Sequence, residues 1–563
     1  MGGSTPYQMM GMKKIVSTRI LFYSLWLLIS FVQAAGTELF DDEAYYWVYS
    51  KFLDWGYFDH PPMIAVLIKL GTFIFPGELG VRFFVVIIGT LSVYLIEKLT
   101  NPPNLKLFYA IVLNTAILQI GGIIAVPDIP LLFFTALFFW MYKKYLEQIN
   151  WMNAVLLSIT VALLLYSKYH GLLIILATLV SNFKLLKQPA TWLVIVLAIL
   201  FFMPHVLWQL EHGLPSLNYH LFERVSPAYS LSFTTDYLAG QLLIAGPLLG
   251  WLIIWSAFKH KPTDQTQKAM RWSLVFVFLL FLASSFKSRT EANWTVPLLV
   301  PLIVLGYQYI DANNSLRKWV YRLLPFSIIL ILFVRVFMII DTPLIKNLPK
   351  DEFHYNREWT KKVKENAHGL PVVFTNSYQR ASKYWFYTGD TAFSLNTHLY
   401  RRSNYNFWPL EMQLQNKDVF MVGSKGTSDL THEINSGNKE FSVDTIQNFS
   451  SYSQVILTQS SLSFDKANLT IATTLDVNAP SANILNYAFS QRPEIILIVY
   501  PGKKQQPILI NTGKYLYNIS GSAIGVKASL PVIDGKVYQF RWGLKGSYVE
   551  PTINSSVSKL SID

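Results

Sequence analysis

Asp41, Asp42, Glu43 and Asp59 stand close together in DDEAYYW at 41–47 and GYFDHPP at 56–62, just after an apolar run from about Ile20 to Ala35. Carboxylates where a chain leaves a bilayer carry a desolvation cost, so they mark chemistry rather than filler. A carboxylate within hydrogen-bonding reach of a reacting hydroxyl, in a partly desolvated site, can take its proton. Asp42 and Asp128, the latter in VPDIP at 126–130, are the two placed to do so if their turns share a membrane face. Helix capping competes with this role. Asp41 reads as the cap of a helix starting near Glu43, and Asp128, between Pro127 and Pro130, could cap the span that follows it.

Cations gather around the same turns. Arg82 heads the second span, Lys168 and His170 lie in SKYHG at 167–171, and Lys287 and Arg289 lie in FKSRTEANW at 286–294. Each alone would be a snorkelling interfacial side chain. Together, beside clustered carboxylates, they suit an anionic ligand, and a phosphate pairs well with Lys and Arg donors. A longer outer loop, 209–237, adds Glu211, His212, His220, Glu223, Arg224 and Asp236.

The elements that must position these residues are membrane spans. Hydrophobic residues make up 52% of the chain and charged ones 14%, against about 25% charged in ordinary soluble domains. Aromatic residues, at 15%, suit interfacial belts. The net charge of +13 is dispersed in short clusters between apolar runs, which argues against a nucleic-acid partner. The chain has no cysteine, which excludes disulfides and thiolate metal sites.

Apolar runs near 19–36, 79–97, 106–124, 129–146, 152–167, 170–183, 190–208, 238–258, 271–286, 293–310 and 321–340 predict about eleven spans. Pro61 to Phe75, interrupted by Lys69, reads as a re-entrant or interfacial helix. Lys13, Lys14 and Arg19 put the N-terminus inside, and alternation then leaves the basic loops cytoplasmic and the acidic turns outside. The first span lacks a small-residue cleavage site before Glu38, so it reads as an anchor, not a signal peptide.

Composition turns polar near 345. PVVFT at 371–375, DVFMVG at 418–423, QVILTQ at 454–459 and EIILIVYP at 494–501 read as strands, and 371–388 as strand then helix. The expected fold is therefore a polytopic α-helical membrane bundle over 1–344, an extracytoplasmic α/β domain over 345–504 and a β-rich module over 505–563. TNSYQRASKYWFYTG at 375–389 and YRRSNYNFW at 400–408 mix aromatic and basic residues, as sugar stacking, an acidic acceptor or an aromatic core would. The sequons at Asn448 and Asn518 occur at chance frequency in such a tail.

DDEAYYW, GYFDHPP, Arg82, VPDIP and SKYHG, in that order over about 15–340, resemble the C-type polytopic glycosyltransferases. Within them the set is similar to the bacterial branch related to protein O-mannosyltransferases and lipid A aminoarabinose transferases. The resemblance implies inverting transfer of a hexose or pentose from a polyprenyl-phosphate sugar to a hydroxyl, outside the cytoplasmic membrane and without a nucleotide. The acceptor is a lipid, a glycan or a protein. It implies catalytic roles for Asp42 and Asp128, with Glu43 beside them, and donor-phosphate contacts for Arg82, Lys168 and Lys287 or Arg289. Asp59, His60, Tyr45 and Tyr46 fall where the substrate would be bound. Some relatives hold a divalent metal here. His60, His170 or His220 could serve as ligands, although a lone interfacial histidine more often serves structure. A lipid-linked-sugar transporter would place charges mid-span within matched halves, and a scaffold would leave the carboxylate and cation clusters without a task.

Overall fold

The computed structural model describes residues 6–219, 229–342, 351–427, 430–436, 439–478, 493–501, 506–516, 522–531, 537–546 and 550–561, with side chains from residue 15 onward. The chain forms two compact units, one of Met1–Gly213 with Tyr229–His354, the other of Leu214–Ala228 with Tyr355–Asp563. His220, Glu223 and Arg224 lie outside the described residues.

The first unit is helical. It runs α1 (Pro6–Gly36), α2 (Asp41–Tyr49), α3 (Met63–Ile74), α4 (Gly77–Thr100), α5 (Leu105–Asn114), α6 (Ala116–Gln119), α7 (Asp128–Glu147), α8 (Trp151–Ser167), α9 (Gly171–Ser181) and α10 (Pro189–Glu211). After α11 (Pro215–Asn218), which groups with the second unit, come α12 (Leu231–Ala245), α13 (Gly250–Lys259), α14 (Gln265–Ser285), α15 (Leu299–Asp311) and α16 (Asn314–Ile339). Side-chain caps set several starts: Asn104, Asn150 and Asp264 accept from the backbone N–H of Leu107, Asn153 and Gln267. Phe108, Phe139, Leu299 and Val304 belong to a continuous apolar core. Leu21, Leu28, Val32 and Phe73, the last 90% exposed, instead face outward, as residues meeting lipid do.

Six helices are long and apolar enough to cross a bilayer, and eight if each of two bent pairs counts as one span. This is a multi-pass membrane protein. Helices form at all eleven expected positions, but α8 and α9 are short, and two of the expected spans are not straight rods. Residues 106–124 break at Thr115 with a bend of 79°, and 238–258 break after Ala245 with a bend of 91°. Breaks inside a bilayer strand backbone groups that water cannot satisfy. Here the two breaks meet. Asn114 Nδ2 donates to the carbonyl of Ala245 at 3.2 Å, and the Ser327 hydroxyl donates to Asn114 Oδ1. Gly246, at φ +140°, is held against Asn114 so closely that a Cβ would strike its amide.

The stretch expected to be re-entrant is the helix α3. It packs on α4 through Gly71 and Gly80, where an added methyl would collide with the carbonyl oxygens of Gly80 and Phe75.

The second unit opens with α17 (Asn356–Asn366), β1 (Val372–Thr375), α18 (Tyr378–Thr388), β2 (Ala392–Leu395), β3 (Lys417–Ser424), β4 (His432–Ser436) and β5 (Lys439–Phe449). The sheet order is β2-β1-β3-β5-β4, with β1 parallel to β2 and β3 and the other pairs antiparallel. Ser377 caps α18 and Gly389, at φ +77°, ends it. The strand–helix reading of 371–388 thus matches β1 and α18.

The β-rich part comprises β6 (Ile456–Asp465), β7 (Thr470–Asn478), β8 (Glu494–Tyr500), β9 (Ile508–Tyr515), β10 (Ala523–Ser529), β11 (Val537–Lys545), β12 (Thr552–Ile553) and β13 (Ser558–Ser561). One sheet runs β10-β7-β6 and the other β12-β11-β8-β9, with β13 on β11. Leu457, Ile471 and Leu475 share a core with Leu497, Val499, Phe540 and Trp542. The boundary expected at 504/505 is corrected by this pairing. β8 bonds to β9 and β11, and β7 to β10, so that cut would pass through both sheets. The α/β part ends instead after Phe449.

A buried acid secures that junction. Glu411, fully buried, accepts from the Ser451 hydroxyl and from the backbone N–H of Ser453 (2.9 Å) and Gln454 (3.2 Å). Burial raises its pKa from 4.5 to about 7, against the lowering pull of those donors. The folded chain therefore keeps this proton where the unfolded chain has lost it. Stability from this group is complete below pH 4.5 and falls as pH rises to about 7, by up to about 3 kcal/mol. Glu411→Gln is expected to flatten that slope, read as the variant's Tm gaining on the wild type's between those pH values.

Candidate active site

The site is built around a buried ion pair. α1 stops at Gly36, and α2 starts at Asp41, so three acidic residues fill the first turn of α2, where the helix dipole favours them. The helix is not capped by Asp41, as the sequence suggested. Phe40 is the capping residue, and its N–H bonds back to Glu43 Oε2 at 2.9 Å. Glu43 also takes Arg82 in fork geometry, Nε to Oε1 at 2.7 Å and Nη2 to Oε2 at 2.5 Å. Arg82 spends its other N–H bonds on the carbonyls of Ala34 (2.9 Å), Thr37 (2.6 Å) and Glu38 (3.0 Å). All five guanidinium donors are thereby used inside the protein, and both residues are 0% exposed.

This corrects two expectations. Arg82 has no N–H left for a donor phosphate, and Glu43 has no access to a substrate. Their joint task is to fix the end of α1, the start of α2 and α4. Glu43 Oε1 further accepts from Ala125 N–H at 2.7 Å, which ties the turn carrying Asp128 to the residue next to Asp42.

Asp42 itself is half-buried in that first turn. Asp128 opens α7 and is 4% exposed. Lys168 Nζ reaches Asp128 Oδ1 at 2.8 Å, and Asn293 Nδ2 reaches Oδ2 at 3.2 Å. Lys168 is 5% exposed, so this second pair is also shielded from water. No side-chain cap is formed by Asp128 on its own helix.

GYFDHPP folds back on α2. Tyr57 stacks on Tyr49 with ring centroids 3.9 Å apart. The hydroxyls of Tyr45 and Tyr49 point to Asp59 Oδ2, both at 3.4 Å, and the His60 ring meets Tyr46 edge-on at 5.6 Å. The four residues expected on the substrate, Asp59, His60, Tyr45 and Tyr46, are thus neighbours. Lys287 and Arg289 are not drawn in. Both are exposed, and Arg289 pairs with Glu291 at 3.2 Å.

Sequence reasoning missed Asn293 and Trp294 on that same turn, because counting charges passes over a neutral amide. Trp294 and Phe281 flank the His170 ring at 5.6 and 5.4 Å. It also missed the brace at the C-terminal end of α10. There His205 joins the Trp55 carbonyl (2.8 Å) to the Tyr169 hydroxyl (3.0 Å), and Trp208 Nε1 donates to Asp54 at 2.7 Å. Asn293→Ala is expected to lower stability by about 1–3 kcal/mol through the acceptor it leaves bare on Asp128, read as a lower Tm of the purified chain.

Among the described residues, the group with metal-ligand spacing is Asp341, Asp351 and His354, not His60 or His170. Asp351 Oδ1 already accepts from the N–H of Phe353 and His354 and meets His354 Nδ1 at 2.9 Å. That carboxylate is occupied in closing its own turn, and we assign no step to a metal.

Residues 59–208 match the family model described as dolichyl-phosphate-mannose-protein mannosyltransferase. With the bundle and its paired acidic turns, that match supports a likeness to the C-type polytopic membrane glycosyltransferases. In sequence it is similar to the lipid A galacturonosyltransferase RgtD of Rhizobium johnstonii, at 22% identity over 304 residues, 51% of this chain and 63% of that protein. The alignment thus spans less than two thirds of RgtD. In fold it is similar to ArnT from Cupriavidus metallidurans. The apo ArnT structure gives a TM-score of 0.55 at 13% identity over 77% of this chain and 98% of ArnT. ArnT bound to undecaprenyl phosphate gives 0.55 at 13% identity over 76% and 98%.

Proposed function

We propose that this protein moves a sugar from a polyprenyl-phosphate donor to an acceptor hydroxyl at the outer face of the cytoplasmic membrane, with inversion. The carrying observation is the Glu43 clamp, which fixes the turn that bears half-buried Asp42 to α4 and to the turn of Asp128. Asp42 takes the acceptor's proton. The acceptor oxygen then bonds to the anomeric carbon from the side opposite the phosphate, and the carbon–oxygen bond to phosphate breaks with both electrons going to the leaving polyprenyl phosphate. Lys168 has one N–H on Asp128 and two further donors for that phosphate. Lys287 and Arg289, exposed on the Asn293 turn, attract the anionic donor over distance and do not grip it.

Asp59 and His60, beside Tyr45, Tyr46 and Tyr49, orient the sugar. The basic loops lie in the cytoplasm and the second unit outside it, following the lysine and arginine bias. Similarity to a lipid A galacturonosyltransferase makes a lipid-linked glycan the first acceptor to try.

The test incubates purified protein with a polyprenyl-phosphate sugar and a lipid-glycan acceptor, following released polyprenyl phosphate and the anomeric configuration of the product. Retained configuration would remove the single-displacement step. Solute uptake into proteoliposomes with no transfer would replace the enzyme reading by a transporter.

A further inference from the structure

The second unit contains a cavity of about 470 Å³ whose lining includes none of the residues assigned to sugar transfer. It lies where the three parallel strands begin, among Val372 of β1, Phe393 of β2 and Lys417 of β3. This is within the size range of small-molecule sites, roughly 300–1,000 Å³. Its floor is apolar, with Leu370, Pro371 and Leu414 half-buried over the buried Phe393 and Leu410, and its rim is polar, with Asp390, Gln413 and Lys417 exposed.

The rim groups are not equivalent. Lys364 Nζ holds Asp390 Oδ2 at 2.8 Å and the Thr388 carbonyl at 3.2 Å, which fixes the carboxylate at the mouth. A carboxylate has about four acceptor sites, so Asp390 retains capacity for hydroxyl donors. Among the described residues Lys417 forms no ion pair, and its backbone is fixed in β3 opposite Phe449. Two lysines facing one aspartate leave the rim with one positive charge in excess.

An apolar floor with a hydroxyl acceptor, an amide and one uncommitted cation matches a ring that is apolar on one face, hydroxylated at its edge and singly charged. We propose that this cavity binds an acidic sugar residue. The ring lies on Leu370, Pro371 and Leu414, hydroxyls bond to Asp390 and Gln413, and the anionic group sits on Lys417. A bare anion gains nothing from the floor, and a neutral sugar gains nothing from Lys417. A uronic acid and a phosphorylated hexose share the required chemistry. The inference stands on the cavity alone and is independent of the transferase reading.

The test titrates the full chain in lipid nanodiscs with galacturonate, galactose 6-phosphate, galactose and inorganic phosphate, by calorimetry or saturation-transfer NMR. At least one acidic sugar is expected to bind about tenfold or more tightly than galactose, the size of one charged hydrogen bond. Which of the two binds identifies the anionic group. Lys417→Gln, at an exposed position, should bring the acidic sugar down to the level of galactose, and Lys417→Arg should preserve the difference. Equal affinity for galactose, phosphate alone binding as tightly as the sugars, no sugar binding at all, or no change in Lys417→Gln would each overturn the proposal.

Discussion

Asp42→Asn is expected to lower sugar transfer by about 10²–10⁴-fold, the usual contribution of a positioned general base. The substitution keeps the size of the side chain and its place in the first turn of α2, but an amide cannot accept the acceptor's proton. The loss should appear in kcat and leave KM for the donor nearly unchanged, because the proposed reaction puts Asp42 on the acceptor side. Asp41→Asn serves as the comparison. Asp41 shares the turn and the half-buried environment, so effects of charge on the helix start are common to both variants. Single-turnover release of polyprenyl phosphate separates them, and a larger loss in Asp41→Asn would move the base by one position.

Arg82→Met is expected to cost about 3–5 kcal/mol of stability, because it leaves the Glu43 carboxylate buried and without its cation. The carbonyls of Ala34, Thr37 and Glu38 lose their donors as well. The double variant Arg82→Met with Glu43→Leu should recover part of this loss, since no lone charge then remains. Arg82→Lys cannot reproduce the fork to Glu43 and should also be destabilised. Thermal unfolding in detergent reads all three. A well-folded Arg82→Lys protein with a raised KM for the donor would return Arg82 to the phosphate and dissolve the clamp.

What could be read from the chain follows the range of the interactions. Apolar runs and the short strands are local signals, and α1, α4, α16, β1, β3 and β8 fall where those runs predict them. Arg82 and Asp128 were picked out by type and position, but their partners lie 39 and 40 residues away. A charged residue thus announces that it needs company without saying whose, and Arg82 was given to a phosphate when it belonged to Glu43. Asn293 carries no charge and no period, so nothing local marks it. The β-rich boundary failed for a related reason: β7 and β8 find their partners in β10 and β11, across a stretch whose composition changes smoothly.

The meeting of the two broken spans has a consequence for how this protein is made. Asn114 and Ala245 are 131 residues apart, so at translation rates of about 5–20 residues per second the amide waits on the order of ten seconds for its carbonyl. During that interval the half-span ending at Asn114 is already in the bilayer with a polar side chain and a broken backbone. Only local bonds, such as that from the Thr115 hydroxyl to the Ile111 carbonyl at 2.9 Å, can hold it. The set of partners around Asn114 is therefore completed only when α12 and then α16, with Ser327, have been made.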